Sequence, residues 1–354
     1  MARAVARAAS RSTTGRMTRA VSCDASAARV ERARASRDVA RPRTASHADA
    51  TTSGTRAVVA CEYEIVRARR AHASGPCVFV VPGNPGVARF YESFAVELGE
   101  RLDARAVDVV GYLGHTEKKR PNRSEWFTLE EQKAHVRDYL AERLREEPGR
   151  EFVVVGHSIG AHLALFAAKE LGYDRVTAVL GLMPFLHVNG RSPLQRFLSL
   201  VTRAKFLAHA VGRLVDALGA VAPALREALL RRTVTRSMDR TAAEITSAWL
   251  RWQSLINMVF MGRTEFDALV AAVDECPLVT SARARGRFAA LYALDDHWAP
   301  LHQRDVLASM GVDVTTVDDA AVRHDFVVVD RAVTAVVDRA VVALNRLRAS
   351  TAPA

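Results

Sequence analysis

Ser158 lies in the stretch Glu151–Leu165, EFVVVGHSIGAHLAL, where an apolar run ends in Gly156-His157-Ser158-Ile159-Gly160 and passes directly into an Ala/Leu-rich helical segment. This is the pattern of a nucleophile elbow. A serine on a sharp strand-to-helix turn stands clear of the sheet, and small residues on either side let strand and helix close around it. Gly156 and Gly160 supply them. The helix that follows aims its N-terminal N–H groups at an oxyanion forming beside the serine, so the chemistry is acyl transfer.

A serine hydroxyl needs a base, and the base needs an acid. In the strand-turn-helix setting of such an elbow the acid comes second in the chain and the histidine last. Of the eleven histidines only His324 lies beyond His302, and it falls in the loop before the last predicted helix. There its imidazole can take the Ser158 proton and return it to a leaving alcohol. No Asp or Glu occurs between Asp174 and Asp216, which leaves the loop after FAALYAL (288–294), where Asp295 and Asp296 stand side by side. One of them is expected to orient the His324 N–H; spacing leaves the choice open. Two backbone N–H donors must meet the oxyanion. One is that of Ile159, directly after the nucleophile; the other comes from the loop Pro82-Gly83-Asn84-Pro85-Gly86. Pro85 has no N–H, which points to Asn84. Each such donor is typically worth ~2.7–4 kcal/mol of transition-state stabilisation.

The elements that must position these residues are legible as alternating apolar runs and helical periods. AVVACEYEIV (57–66) alternates like an outer strand, and PCVFVVPG (76–83) is continuous like a central one. Helices are expected over about 87–102 and 129–145, the second started by Thr128 with acids in its first turn. Strands are expected near 106–110, 176–183, 288–294 and 312–317, with helices at about 301–310 and 331–347. From 184 to about 272 the chain is helical without a strand signal. The pattern predicts an α/β fold, a doubly wound and mostly parallel sheet over residues 57–349, interrupted by a helical cap insertion.

The net charge of +11 is unevenly placed. Residues 1–56 carry twelve Arg against Asp24, Glu31, Asp38 and Asp49, a net of +8, and only +3 remains for the rest. That distribution argues against a nucleic-acid-binding body. The tract 1–56 is rich in Ala, Arg, Ser and Thr and poor in large apolar residues, so disorder is expected there. It also has the composition of a transit peptide for chloroplast or mitochondrion. No window reaches 18 apolar residues without a charge, so no transmembrane span is expected. The four cysteines (Cys23, Cys61, Cys77, Cys276) form no C-x-x-C pair, and no Cys/His cluster has zinc-ligand spacing; neither metal nor organic cofactor is expected.

VPGNPGVARFYESF, GHSIGAH, the segment Asn257-Met258-Val259-Phe260-Met261-Gly262 followed by Glu265, Asp296-His297-Trp298-Ala299-Pro300 and His324-Asp325-Phe326 together resemble the lipid droplet-associated hydrolases, a branch of the α/β-hydrolase superfamily. The likeness runs from about Ala57 to Leu347. It implies an α/β-hydrolase fold, Asp296 as the acid because it carries the D-x-W-x-P register, and a serine esterase or lipase-like activity on lipid esters of the sterol ester or acylglycerol class. It also implies a lipid-droplet or membrane surface as partner, and it supports a pocket histidine at His115. The basic extension before Ala57 is not part of that pattern, and an import signal there would compete with a droplet address. Two other readings of the same residues stay open here: a lipid-surface binding protein with a little-used triad, and an organellar thioesterase or small-ester hydrolase.

In the cap, Leu207, Val211, Leu214 and Leu218 recur at spacings of four, three and four, one stripe of a helix. Arg196, Arg203, Lys205, His209, Arg213 and Asp216 interrupt the apolar stretch, so the expectation is a helix lying on a lipid surface, with Phe197, Leu198 and Phe206 beside it.

Overall fold

Eight strands form one sheet in the computed structural model, which describes residues 29–41, 57–70, 73–116 and 126–350. They are β1 (Arg29–Arg41), β2 (Ala57–Arg69), β3 (Cys77–Val81), β4 (Ala106–Val110), β5 (Phe152–His157), β6 (Val176–Leu182), β7 (Phe288–Ala293) and β8 (Asp313–Val317), in the spatial order β1-β2-β4-β3-β5-β6-β7-β8. β1 and β2 are antiparallel to each other, β2 is antiparallel to β4, and all the remaining pairs are parallel. β3, β4, β5 and β7 are buried at every position, as continuous apolar runs covered on both faces must be.

The flanking helices are α1 (Glu92–Arg101), α2 (Leu129–Glu146) and α3 (Ile159–Leu171), then five cap helices, α4 (Pro193–Arg203), α5 (Lys205–Val221), α6 (Pro223–Arg232), α7 (Arg240–Trp249) and α8 (Trp252–Ala268). α9 (Pro277–Ala284), α10 (Leu301–Ser309) and α11 (Asp330–Ala349) follow. α1 packs with α11, while α2 and α9 pack with α3. α2 starts on a full capping box, in which the Thr128 hydroxyl accepts from the Glu131 N–H and the Glu131 carboxylate accepts from the Thr128 N–H. α9 was not anticipated as a separate element. It packs on α3 rather than among the cap helices and leads the chain back to β7.

The tract expected to be disordered is corrected at 29–41, which forms β1. The composition average over 56 residues concealed a segment that needs little side-chain burial, because its backbone pairs with β2 along its whole length. Val30 and Ala35 pack on the core, and the Arg32 Nε donates to Glu92 Oε2 at 2.6 Å. Arg29–Arg41 therefore belongs to the sheet, ahead of the expected start at Ala57. Residues 1–28 and 42–56, with the transit-peptide expectation they carry, lie outside the described residues.

β3 lies between β4 and β5, and the chain winds away from it in both directions, so the loops after β3 and β5 meet at the carboxyl edge of the sheet. Ligand sites of open parallel sheets form at such a point. Closure there is tight. A Cβ added at Gly160 would come within 2.3 Å of the Val81 carbonyl oxygen and 2.4 Å of that of Pro82; one added at Gly156 would lie 2.4 Å from the Gly160 oxygen. All these obstacles are backbone and cannot move aside. Gly160→Ala is therefore expected to destabilise the fold by about 1–3 kcal/mol or more, read as a lower urea midpoint at unchanged m-value. An unchanged midpoint would show that α3 can shift away from the loop after β3.

Candidate active site

Ser158 ends β5 with φ 54° and ψ −126°, a conformation that costs an L-residue of order 1–3 kcal/mol and persists only when its surroundings over-determine it. Here its N–H donates to the Leu182 carbonyl at 3.0 Å, and its own carbonyl accepts from the N–H groups of Ala161 and Phe185, each at 3.0 Å. The side chain stands at the start of α3, with Oγ 2.8 Å from His324 Nε2. His324 sits in the loop between β8 and α11, and its Nδ1 lies 2.7 Å from Asp296 Oδ2. Asp296 comes from the turn after β7. Its other oxygen, Oδ1, accepts from the N–H groups of Trp298 (2.7 Å) and Ala299 (3.0 Å).

These contacts fix the protons. A carboxylate that accepts two backbone N–H bonds on Oδ1 takes the Nδ1 proton of His324 on Oδ2, which leaves the Nε2 lone pair facing the Ser158 hydroxyl. Burial alone would raise the Asp296 pKa, but the His324 hydrogen bond and charge, with the two backbone N–H groups, outweigh it and hold the acid below its usual range. Asp295, next to it, is exposed and makes no hydrogen bond to Ser158 or His324. The structure thus brings together Ser158, Asp296 and His324 and leaves Asp295 out.

The loop after β3 lies against the elbow: a Cβ added at Gly83 would come within 3.0 Å of the Ser158 Cβ. Nearly every polar group of this loop is engaged. The Pro82 carbonyl accepts from the Tyr112 hydroxyl, the Gly83 N–H donates to the Tyr91 hydroxyl (2.8 Å), and the Gly86 N–H donates to the Gly83 carbonyl (2.6 Å). The Asn84 amide donates to the Met258 carbonyl and to Glu265 Oε1, each at 3.0 Å. Among the described residues the backbone N–H groups of Asn84 and Ile159 donate to no other group, so both are available to a ligand oxygen.

Several residues of this surround have definite partners that local sequence does not reveal. His157 links three segments. The Tyr91 hydroxyl donates to its Nδ1 (2.6 Å), and its Nε2–H donates to the His324 carbonyl (2.8 Å). Burial, and the neighbouring His324, push its pKa down to about 3, so it is a neutral ring of fixed tautomer. His115 was placed in the pocket. It is fully buried behind the loop, where Nδ1–H donates to the Pro85 carbonyl at 2.6 Å and burial lowers its pKa to about 4. Trp298 packs against Phe185 with ring centroids 5.2 Å apart, supporting the turn that carries Asp296. Glu265, buried on α8, has its carboxyl pushed up to about 8 by desolvation. The sequence marks it only through the family resemblance and gives it no role, because its partner Asn84 lies 181 residues away.

Sheet order, helical layers and a serine at the β5–α3 turn define an α/β-hydrolase. Solved structures of that class superpose on the chain despite low identity. A peroxisomal α/β-hydrolase of Saccharomyces cerevisiae matches with TM-score 0.60 and 12% identity, covering 93% of this chain and 91% of that one. A carboxylesterase of Nitrososphaera gargenis matches with TM-score 0.54 and 11% identity, over 81% and 96% of the two chains. Within the class, residues 74–327 match the lipid-droplet associated hydrolase family, and the chain belongs to it. A lipid droplet-associated hydrolase of Dictyostelium discoideum is 22% identical over 250 residues, covering 67% of this chain and 77% of that protein.

The two neighbouring aspartates give a direct check. Asp296→Asn would place an amide against Nδ1 and favour the tautomer that turns an N–H toward Ser158, so kcat for ester hydrolysis is expected to fall about 10⁴-fold. Asp295→Asn should stay within about threefold of wild type, as expected for an exposed residue outside the site. Reversed losses in steady-state kinetics would reassign the acid.

Proposed function

We propose that the protein is a serine ester hydrolase that cleaves acyl esters of lipids, acylglycerols or sterol esters, at a lipid-droplet or membrane surface. The hydrogen-bonded series Ser158–His324–Asp296, at 2.8 and 2.7 Å, carries the reading. His324 Nε2 takes the hydroxyl proton as Ser158 Oγ attacks the ester carbonyl carbon. The carbonyl oxygen becomes an oxyanion that accepts from the Ile159 and Asn84 N–H groups. The C–O bond to the alcohol then breaks, and the imidazolium gives its proton to the leaving alkoxide. Water attacks the acyl-serine by the same proton path, His324 taking its proton and returning it to Ser158, and the carboxylic acid leaves. Asp296 remains ionised throughout and stabilises the imidazolium.

A lipid substrate and a surface site of action are supported by the family and by the cap. Phe197, Leu200, Phe206, Leu214 and Val221 are all more than half exposed, Val221 at 85%. α5 packs inward through Ala208 and Gly212, so Leu207, Val211 and Leu214 of the expected stripe face outward. Leu198 departs from that expectation and packs on the core. Two of the basic residues nearby have partners within the protein. Arg203 pairs with Asp267 at 2.8 Å, and the Arg213 guanidinium lies 3.8 Å from the centre of the Trp252 ring. Binding to a lipid surface by this patch would thus rest mainly on its exposed apolar side chains. No helix of the described residues is long and apolar enough to cross a membrane.

A fluorophosphonate probe is expected to label the protein at Ser158, and Ser158→Ala to abolish labelling and reduce ester hydrolysis by several orders of magnitude. A folded protein that takes no label would favour a binding role without catalysis. For the surface, Phe197→Ser, Phe206→Ser and Leu214→Ser together should weaken binding to phosphatidylcholine-coated triacylglycerol droplets at least tenfold, each buried side chain contributing roughly 1.5–3 kcal/mol. Hydrolysis of a soluble butyrate ester should change less than about twofold, since exposed substitutions rarely disturb a fold. Equal loss on both substrates would make the cap face a structural lid.

A further inference from the structure

The Asn84 side chain has two amide hydrogens, and both are spent on α8, one on the Met258 carbonyl and one on Glu265 Oε1, each at 3.0 Å. That side chain therefore has no hydrogen left for a substrate oxygen. What Asn84 can offer is its backbone N–H, and the orientation of that peptide is set by what holds the side chain. Pro82 and Pro85 have no N–H, and those of Gly83 and Gly86 are taken by Tyr91 and by the Gly83 carbonyl. The second oxyanion donor thus depends on a residue whose anchor belongs to the cap.

Glu265 is an unusual anchor. It is 5% exposed, and among the described residues it pairs with no Lys, Arg or His. Desolvation keeps its carboxyl neutral at pH 7, so it serves as a hydrogen-bond acceptor without placing a negative charge beside a site where an oxyanion must form. The helix that carries it is itself pinned to the domain. Asn257 Oδ1 accepts from the Phe127 N–H at 3.3 Å, and the Thr264 hydroxyl accepts from the Leu129 N–H at 3.0 Å. Asn257, Met258, Thr264 and Glu265 recur at helical spacing, so α8 turns one polar edge toward the catalytic domain.

We propose that Glu265 is a positioning residue for hydrolysis: from the cap helix α8 it holds the Asn84 side chain, and through it sets the backbone N–H of Asn84 in the oxyanion hole. The proposal rests on the serine-hydrolase reading and adds that the oxyanion hole is assembled jointly by sheet and cap.

The test compares Glu265→Ala, Glu265→Gln, Asn84→Ala and the Glu265→Ala/Asn84→Ala double variant of the full chain, using p-nitrophenyl butyrate and an alkyl trifluoromethyl ketone. The ketone adds Ser158 reversibly and presents a tetrahedral oxyanion. Glu265→Ala is expected to lower kcat roughly 10²-fold with KM changed less than about threefold, and to weaken the ketone by a similar factor. Glu265→Gln keeps a neutral acceptor oxygen and should restore most of both. Asn84→Ala should match Glu265→Ala, and the double variant should be no worse than either, since the two act through one contact. A folded Glu265→Ala protein with wild-type kcat and ketone affinity overturns the proposal, as does a Glu265→Gln loss as large as that of Ala. Should Glu265→Ala fail to fold, Glu265→Gln and Asn84→Ala decide: wild-type kcat in folded Asn84→Ala overturns it. A wild-type chain that neither turns over the ester nor takes a fluorophosphonate at Ser158 removes the serine-hydrolase reading and this one with it. An active, labelled wild type with unaffected Asn84 and Glu265 variants removes this one alone.

Discussion

The backbone of Ser158 is the constraint from which the rest of the site follows. At φ 54° and ψ −126° the chain reverses from strand to helix within one residue, and the hydroxyl is lifted off the sheet. That turn exists only while α3 lies almost in contact with the end of β5 and with the loop after β3, which is why no Cβ can stand at Gly156 or Gly160. Close approach has a second consequence. The backbone of Val81 and Pro82, pressed against Gly160, carries the following residues, Gly83 and Asn84, to the side of Ser158. A strained serine and a loop able to offer an N–H beside it are therefore one packing solution.

Electrostatics around the serine are kept sparse. His157 and His115 are buried and neutral, Tyr91 and Tyr112 have their hydroxyl pKa values raised by burial, and Glu265 stays protonated. The ionised group is Asp296, and it is matched by two backbone N–H groups as well as by His324. In a low-dielectric site a fixed charge acts strongly on any charge that forms nearby, so a surround of neutral donors and acceptors leaves the imidazolium and oxyanion governed by their own partners. The same neutral groups are also mechanical. Gly83 N–H to Tyr91, Tyr91 to His157, and His157 to the His324 carbonyl tie the oxyanion loop, the elbow and the base loop into one hydrogen-bonded series.

Legibility in the sequence follows the range of the interaction concerned. The elbow, the apolar strands and the Thr128 capping box depend on neighbours within a few residues and could be read directly. His324 was found by chain order and elimination. The choice between Asp295 and Asp296 was open on spacing and required the family resemblance, because it turns on which side chain meets the N–H groups of Trp298 and Ala299. β1 was lost to averaging: its stability comes from backbone pairing with β2, which composition does not register. The roles of His157, Tyr91 and Glu265 were illegible for a simpler reason. Their partners lie far along the chain, and a buried polar residue cannot be told from a solvated one until its surroundings are known.

The cap shows the same limit and a further point. A stripe at spacings of four, three and four establishes that Leu207, Val211, Leu214 and Leu218 share one side of α5, but not whether that side faces the domain. The inward face is instead made of Ala208 and Gly212, and Gly212 lies where a Cβ would come within 2.9 Å of Trp252. Close backbone contact with α8 has thus taken the place that a water-soluble amphipathic helix gives to its large apolar residues, which are left outside. Two of the polar residues expected to break up the outer face, Arg203 and Arg213, are turned onto Asp267 and Trp252. A broad apolar surface has little to gain from water and much to gain from a second apolar phase. No helix of the described residues is long and apolar enough to span such a phase, so the proposed contact would be a shallow layer at the interface. On that reading the outer face of α5 would meet the layer while its inner face packs against α8, and α8 carries the acid that grips Asn84. Between the exposed face of α5 and the loop after β3 there are accordingly two helices, each packed directly on the next.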